Sequence, residues 1–199
     1  LSLFGLILIA GGMVATVPTG HTGILTTFGK VENVTLEAGV HVKSPFQKVV
    51  VMDNRTQVAR VKLTCFSSDI QEVMVDYSMN YQIDKSNAQT IYKNIGTQYY
   101  ETVMQPRIQE VVKSVIAKYT AESLVESRDA LSKQITDTLV SELGSYNIEV
   151  VSTSVENIDF SDAFTNSVEE KVVALQTKLK TQTEEEQKTM QKQEDAKRA

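Results

Sequence analysis

The first 17 residues carry no charge, and Pro18 ends them. No other feature constrains the fold as much, because an uncharged apolar stretch of this length has to leave water. As a helix rising 1.5 Å per residue it would span roughly 25 Å, against a hydrocarbon core of about 30 Å. Leu3, Phe4, Leu6, Ile7, Leu8, Ile9 and Val14 would hold it in lipid, each favouring insertion by about 0.3–0.6 kcal/mol. Gly5, Gly11 and Gly12 offset part of that gain. The pattern predicts a transmembrane anchor over residues 1–17, slightly short. The sequence starts at Leu1 and not at Met, so a few more apolar residues are expected ahead of it. Gly11 and Ala15 form a small-xxx-small pair, which lets helices approach closely. Two other readings stand beside the anchor. One is a signal-peptide apolar region, for which residues 3–10 have a suitable length but no cleavage signal follows. The other is a buried helix, which would normally show a polar face.

Beyond the anchor some 180 residues remain, enough for one or two small domains. The net charge is −5 and no basic stripe is present. Nucleic acid is therefore not an expected partner, since nothing would displace counterions from phosphates. The single cysteine, Cys65, rules out an internal disulfide.

Short strands and turns are expected from Thr22 to Thr64. Residues 23–28 are β-rich, with a turn at Gly29-Lys30. Val40-His41-Val42-Lys43 alternates as a half-buried strand does, and Ser44-Pro45 breaks it. Val49-Val50-Val51-Met52 suits a strand covered on both faces. Val58, Val61 and Leu63 lead to a loop at Ser67-Ser68-Asp69. Val73, Val75, Tyr77, Met79, Tyr81 and Ile83 then give the clearest alternation, with the odd positions inward. Helical spacing follows at Ala88, Ile91, Tyr92 and Ile95, with Gly96 as the stop. The next apolar face runs from Tyr100 to Tyr119, with Pro106 as a kink or in a first turn. Ser127 is placed to cap a helix carrying Leu131, Ile135, Leu139 and Leu143. A last strand is expected over residues 148–158.

The tail begins at Ser161-Asp162. Phe164, Val168, Val172, Leu175 and Leu179 recur at steps of four, four, three and four, the seam of a coiled coil or of a docking helix. Residues 169–199 hold seven acids and seven bases, which suits a long solvated helix. The seam fades after Leu179 into Gln182 and Glu186, leaving Met190. The pattern is unfinished at Ala199, so the helix is expected to continue.

Catalytic chemistry finds little to use. Cys65 has no local nucleophile motif, and His21 and His41 lie at unrelated spacing. Asp69, Asp76 and Asp84 fall at strand ends, where turn and cap roles are the default. No Walker loop, GxGxxG or GxSxG occurs. No catalytic residue, metal ligand or cofactor is assigned, and an enzyme is not expected.

The order of these features resembles the SPFH (Band 7) family of stomatins, prohibitins, flotillins and the HflK/HflC proteins, and most of all its bacterial prohibitin-like members. The carriers start at Val17-Pro18-Thr19-Gly20-His21-Thr22-Gly23. They continue through Phe28-Gly29-Lys30-Val31, the stretch from Ala38 to Phe46, and Met52-Asp53-Asn54-Arg55-Thr56-Gln57. Further on are Val75-Asp76, Tyr81-Gln82-Ile83, Tyr92, Ile95-Gly96, Pro106, the run from Val115 to Leu124, and Arg128. Two features depart from the family pattern. Ile70-Gln71 stands where many members have Gly-Gln, and the tail is rich in Thr, Lys and Gln instead of Ala and Glu.

The resemblance implies an α+β fold in three parts. These are a transmembrane anchor (1–17), an SPFH α/β domain with a mainly antiparallel sheet and packed helices (18–160), and the start of a long coiled-coil helix (161–199). It implies a non-enzymatic scaffold on the cell membrane of a bacterium, a homo-oligomeric ring or cage in contact with lipid that organises membrane patches or proteins. A regulatory partner of a membrane-bound AAA protease of the FtsH type, or of a channel, is the alternative. A secreted domain behind a signal peptide is a third reading. The first cation after the anchor is Lys30, so charge does not set which side of the membrane the domain occupies.

Overall fold

The computed structural model describes residues 12–198. They fall into two compact units, divided between Ile158 and Asp159. The first holds three sheets. β1 (Val14–Val17) pairs antiparallel with β4 (Gly39–Val42). β2 (His21–Thr27) lies between β3 (Lys30–Leu36) and β5 (Gln47–Asp53), antiparallel to both. β7 (Glu72–Ile83) lies between β6 (Gln57–Phe66) and β8 (Ile148–Phe160).

The helix expected over residues 1–17 does not extend to Val17. Gly12 and Met13 form a turn, and Val14 begins a strand with Val42 as its cross-strand partner. Val14, Thr16 and Val17 are β-branched and pack better on a pleated surface. Gly11 and Gly12 weaken any helix leading into them. Val14 is therefore not a helical anchor residue, whereas Leu3, Phe4, Leu6, Ile7, Leu8 and Ile9 lie outside the described residues. Among the described residues no helix is long and apolar enough to cross a membrane.

Two glycines shape the small sheets. A Cβ on Gly23 would come within 2.7 Å of the Val17 side chain, so its absence lets β1 lie close on β2. The β2–β3 turn is Phe28-Gly29, one residue earlier than the sequence suggests. Both residues have positive φ, 50° and 84°, and Thr27 pairs with Lys30. That is the backbone of a two-residue hairpin of the I′ kind, which follows the natural strand twist.

The main core lies on one face of β6 and β7. Ala59, Val61, Leu63 and Cys65 are buried opposite Met79, Tyr77, Val75 and Val73. The odd positions of β7 point inward as the alternation requires. Val58 faces outward, because the inward set of β6 is odd-numbered. β5 is an edge strand and is not covered on both faces, and its Val51 is partly exposed.

Helices complete this core. α1 (Ala88–Asn94) stops before Gly96, whose φ is 102°. A π-helical turn over Tyr100–Met104 runs into α2 (Gln105–Ile116), with Pro106 in the first turn of α2. The wide π turn suits a ladder in which Pro106 has no N–H to offer. A short helix α3 (Ala121–Glu126), absent from the sequence reading, precedes α4 (Arg128–Gly144). Leu131, Ile135, Leu139 and Leu143 are fully buried, and α2 packs against both α4 and β6. Ser127 precedes α4, yet its side chain makes no cap bond there.

The second unit is α5 (Asp162–Arg198), a helix of 37 residues and so about 55 Å long. The Phe164 N–H donates to the Ser161 hydroxyl at 3.4 Å, and the Phe164 ring lies against Phe160.

Candidate membrane and assembly surfaces

The β1–β4 ribbon has two unlike faces. Cross-strand pairing sets Val14 opposite Val42 and Thr16 opposite Val40, so these four side chains share one face. That face is open: Val42 is 81 % exposed, and Val14 and Val40 are exposed as well. The other face carries Val17, which is 2 % exposed and packs on β2. The sequence expects the opposite alternation for 40–43, with the valines half-buried. Gly39, at φ 140°, starts β4, and the register with β1 turns its valines outward.

Four residues beyond Val42, Phe46 stacks on Phe28 with ring centroids 5.6 Å apart. The two rings are 65 % and 83 % exposed. Large apolar side chains held in water forgo about 1.5–3 kcal/mol each relative to burial. Two hydrogen bonds tie Lys43 to the turn before β1. Lys43 N–H donates to the Met13 carbonyl at 2.7 Å, and Lys43 Nζ donates to the Gly12 carbonyl at 2.6 Å. In the sequence the apolar residues 1–10 stand shortly ahead of the turn and strand that carry this exposed face.

A polar cleft of about 360 Å³ lies elsewhere on this unit, lined by His21, Thr22, Glu37, Asn54, Lys85 and other residues. Its His21, Thr22 and Asn54 side chains are held by structural partners. His21 Nδ1 lies 3.1 Å from the Thr19 carbonyl, and Asn54 donates to the Thr22 hydroxyl at 2.8 Å. Beside it the Arg55 guanidinium donates to both Asp53 carboxylate oxygens and holds that acid down at about 2. His41 Nε2 lies 2.6 Å from the Glu37 carbonyl, which closes the loop before β4. Burial pushes the Cys65 thiol up to about 11, so it is a packed thiol and not a ready nucleophile. The structure does not bring Cys65, His21 and His41 into any shared hydrogen bond or ion pair. No group of three or more His, Cys, Asp or Glu side chains that could hold a metal occurs among the described residues.

Asp69 has a role that the strand-end reading half anticipates. Its carboxylate accepts from the Ser67 hydroxyl at 2.6 Å and from the Ala121 N–H at 3.0 Å, so it joins the β6–β7 turn to the start of α3. Those bonds, the Ser67 one foremost, lower its pKa. Thr120 caps the same helix through the Ser123 N–H, and this cap was the sequence signal for α3.

On α5 the seam residues Val168, Val172, Leu175 and Leu179 are exposed along one stripe, with Phe164 partly covered at its start.

Comparison with known proteins decides the family. The model of the "SPFH domain / Band 7 family" matches residues 15–194. The chain belongs to the SPFH (Band 7) family. It is 31 % identical over 180 residues to Prohibitin 1 of Mus musculus, covering 87 % of this chain and 66 % of that protein. It is 30 % identical over 162 residues to Prohibitin-1 of Schizosaccharomyces pombe, covering 80 % of this chain and 57 % of that protein. It is also similar to Prohibitin-1, mitochondrial, of Arabidopsis thaliana, at 31 % over 139 residues, or 69 % and 48 % of the two chains. This SPFH chain thus spans two thirds or less of the length of these curated relatives.

Proposed function

We propose that this chain is a non-catalytic, membrane-attached scaffold that works as an assembly of identical copies. The observation that carries the reading is the open valine face of the β1–β4 ribbon, with the Phe28–Phe46 pair, directly after an uncharged apolar stretch. A bilayer interface supplies what this arrangement lacks in water: apolar contact for the valines and rings, beside lipid that holds residues 1–10. Leu3, Phe4, Leu6, Ile7, Leu8 and Ile9 form the inserted part, and the ribbon rests at the headgroup level.

A single anchor of borderline length holds a chain weakly. Many anchors on one assembly hold it strongly, because each bound copy raises the effective concentration of its neighbours at the membrane. The stripe Phe164, Val168, Val172, Leu175 and Leu179 joins the copies. Rings or cages built this way organise patches of membrane and the proteins within them.

The test uses the full chain in lipid vesicles, with an environment-sensitive fluorophore at Phe46→Cys. Nitroxide-labelled lipids should quench this probe. A probe at 46 that stays unquenched while the protein floats with the vesicles would contradict the proposed contact. Crosslinking followed by mass spectrometry addresses the regulatory alternative. A stoichiometric membrane protease or channel among the products would replace the scaffold reading, whereas self-crosslinks support it.

A further inference from the structure

We infer that the Phe28–Phe46 tip selects anionic lipid: its rings enter the bilayer interface while Lys30, Lys43 and Lys48 around them bind acidic headgroups. This rests on the membrane reading above and adds the class of lipid to it.

Strand register places the charges. Thr27, the residue before Phe28, pairs with Lys30 on one side and Gln47 on the other. Thr26, one step back, pairs with Val31 and Lys48. Successive strand residues point to opposite faces, so Lys30 and Lys48 stand on the two faces of the sheet at the same end. The stacked rings lie just beyond that end. Lys43 comes three residues before Phe46, with its ammonium on the Gly12 carbonyl. Residues 26–31 and 43–48 thus hold three lysines and no acid, in a chain of 25 acids and 20 bases. Lys30 and Lys48 are exposed, and neither enters an ion pair among the described residues. The acids of these strands are set back from the tip. Glu32 follows Lys30 along β3, and Asp53 closes the far end of β5, where Arg55 holds it.

Charge complementarity names the headgroup. The chain as a whole is acidic and gains nothing from an acidic membrane. At physiological salt, however, charges act over only about 8 Å, so the sign at the tip decides. The rings alone would enter any fluid lipid, and the lysines add the preference. Lysine suits this position because its stem lies along apolar surface while the ammonium stays at the level of the phosphates. Each lysine near an acidic leaflet raises partitioning by about fivefold, and Lys30 and Lys48 together by roughly twenty-five-fold. The occupant is lipid because Phe46 continues, four residues along the chain, the valine face that ends at Val42.

The test takes the full chain, with the fluorophore at Phe46→Cys, into two kinds of vesicle that both carry nitroxide-labelled lipid. One is phosphatidylcholine alone, and the other is equal parts phosphatidylcholine and phosphatidylserine. The ratio of quenched to unquenched probe should be about tenfold or more higher in the acidic vesicles, and the difference should fade at high salt. Lys30→Gln combined with Lys48→Gln should remove most of the difference. Lys30→Arg combined with Lys48→Arg should keep it, which separates loss of charge from damage to the sheet end. Equal quenching in both vesicles would overturn the inference and leave the membrane contact standing. A preference that survives the Gln pair would also overturn it, by placing the selecting charge elsewhere. No quenching in either vesicle would instead remove the membrane reading itself.

Discussion

Ile70 holds a backbone conformation that a β-branched side chain rarely adopts. Its φ is 62°, and it is 81 % exposed, so no burial offsets the strain. It stands at the β6–β7 turn, where Ser67, Asp69 and the Ala121 N–H fix the loop. Ile70→Gly should therefore raise stability by about 1 kcal/mol, as read from the midpoint of thermal or urea unfolding. A drop in the midpoint would mean that the Ile70 side chain has packing not visible in this fold. Asp53 gives a pH-dependent test. Its folded pKa of about 2 lies below the ordinary 3.8, so it contributes stability above about pH 4 that is lost as pH falls through 2. Arg55 is largely in solvent, and screening limits the contribution to about 1 kcal/mol or less. Asp53→Asn should lose that much at pH 7 and show a shallower fall in stability between pH 4 and 2, measured by urea titration at each pH.

At the scale of elements, α4 is the keystone of the helical layer. Leu131, Ile135, Leu139 and Leu143 are all fully buried, and truncation of one leaves a cavity. Leu139→Ala should cost about 2–5 kcal/mol, seen as a lowered unfolding midpoint. This element was legible from its i, i+4 leucines, as β7 was from twelve residues of alternation. The misread elements are the ones that tertiary pairing decides. β1 reads as the end of an apolar helix until Gly39–Val42 is brought beside it, since a strand is defined by its partner. The alternation of β4 reads as a half-buried strand, because it gives the period but not which face is covered. α3 has only six residues, too few for a periodic signal, and its caps come in part from Asp69, 52 residues away. The candidate site was divided in the same way. The seam on α5 is visible as spacing, whereas the Phe28–Phe46 stack joins two turns 18 residues apart and carries no local pattern.

For the whole molecule, the parts agree on one physical role. Three groups that could do chemistry are held by structure: Cys65 by the core, Asp69 by a helix cap, Asp53 by Arg55. The open groups are apolar faces without an occupant in the single chain, one after the apolar N-terminal stretch and one along α5. The proposed scaffold of many copies would fill both, the first with lipid and the second with another copy. The most direct measurement is the size of the full chain extracted from membranes in mild detergent, by native electrophoresis and cryo-electron microscopy. The account predicts a ring- or cage-like particle of many identical subunits. A monodisperse single subunit under the same conditions would contradict it.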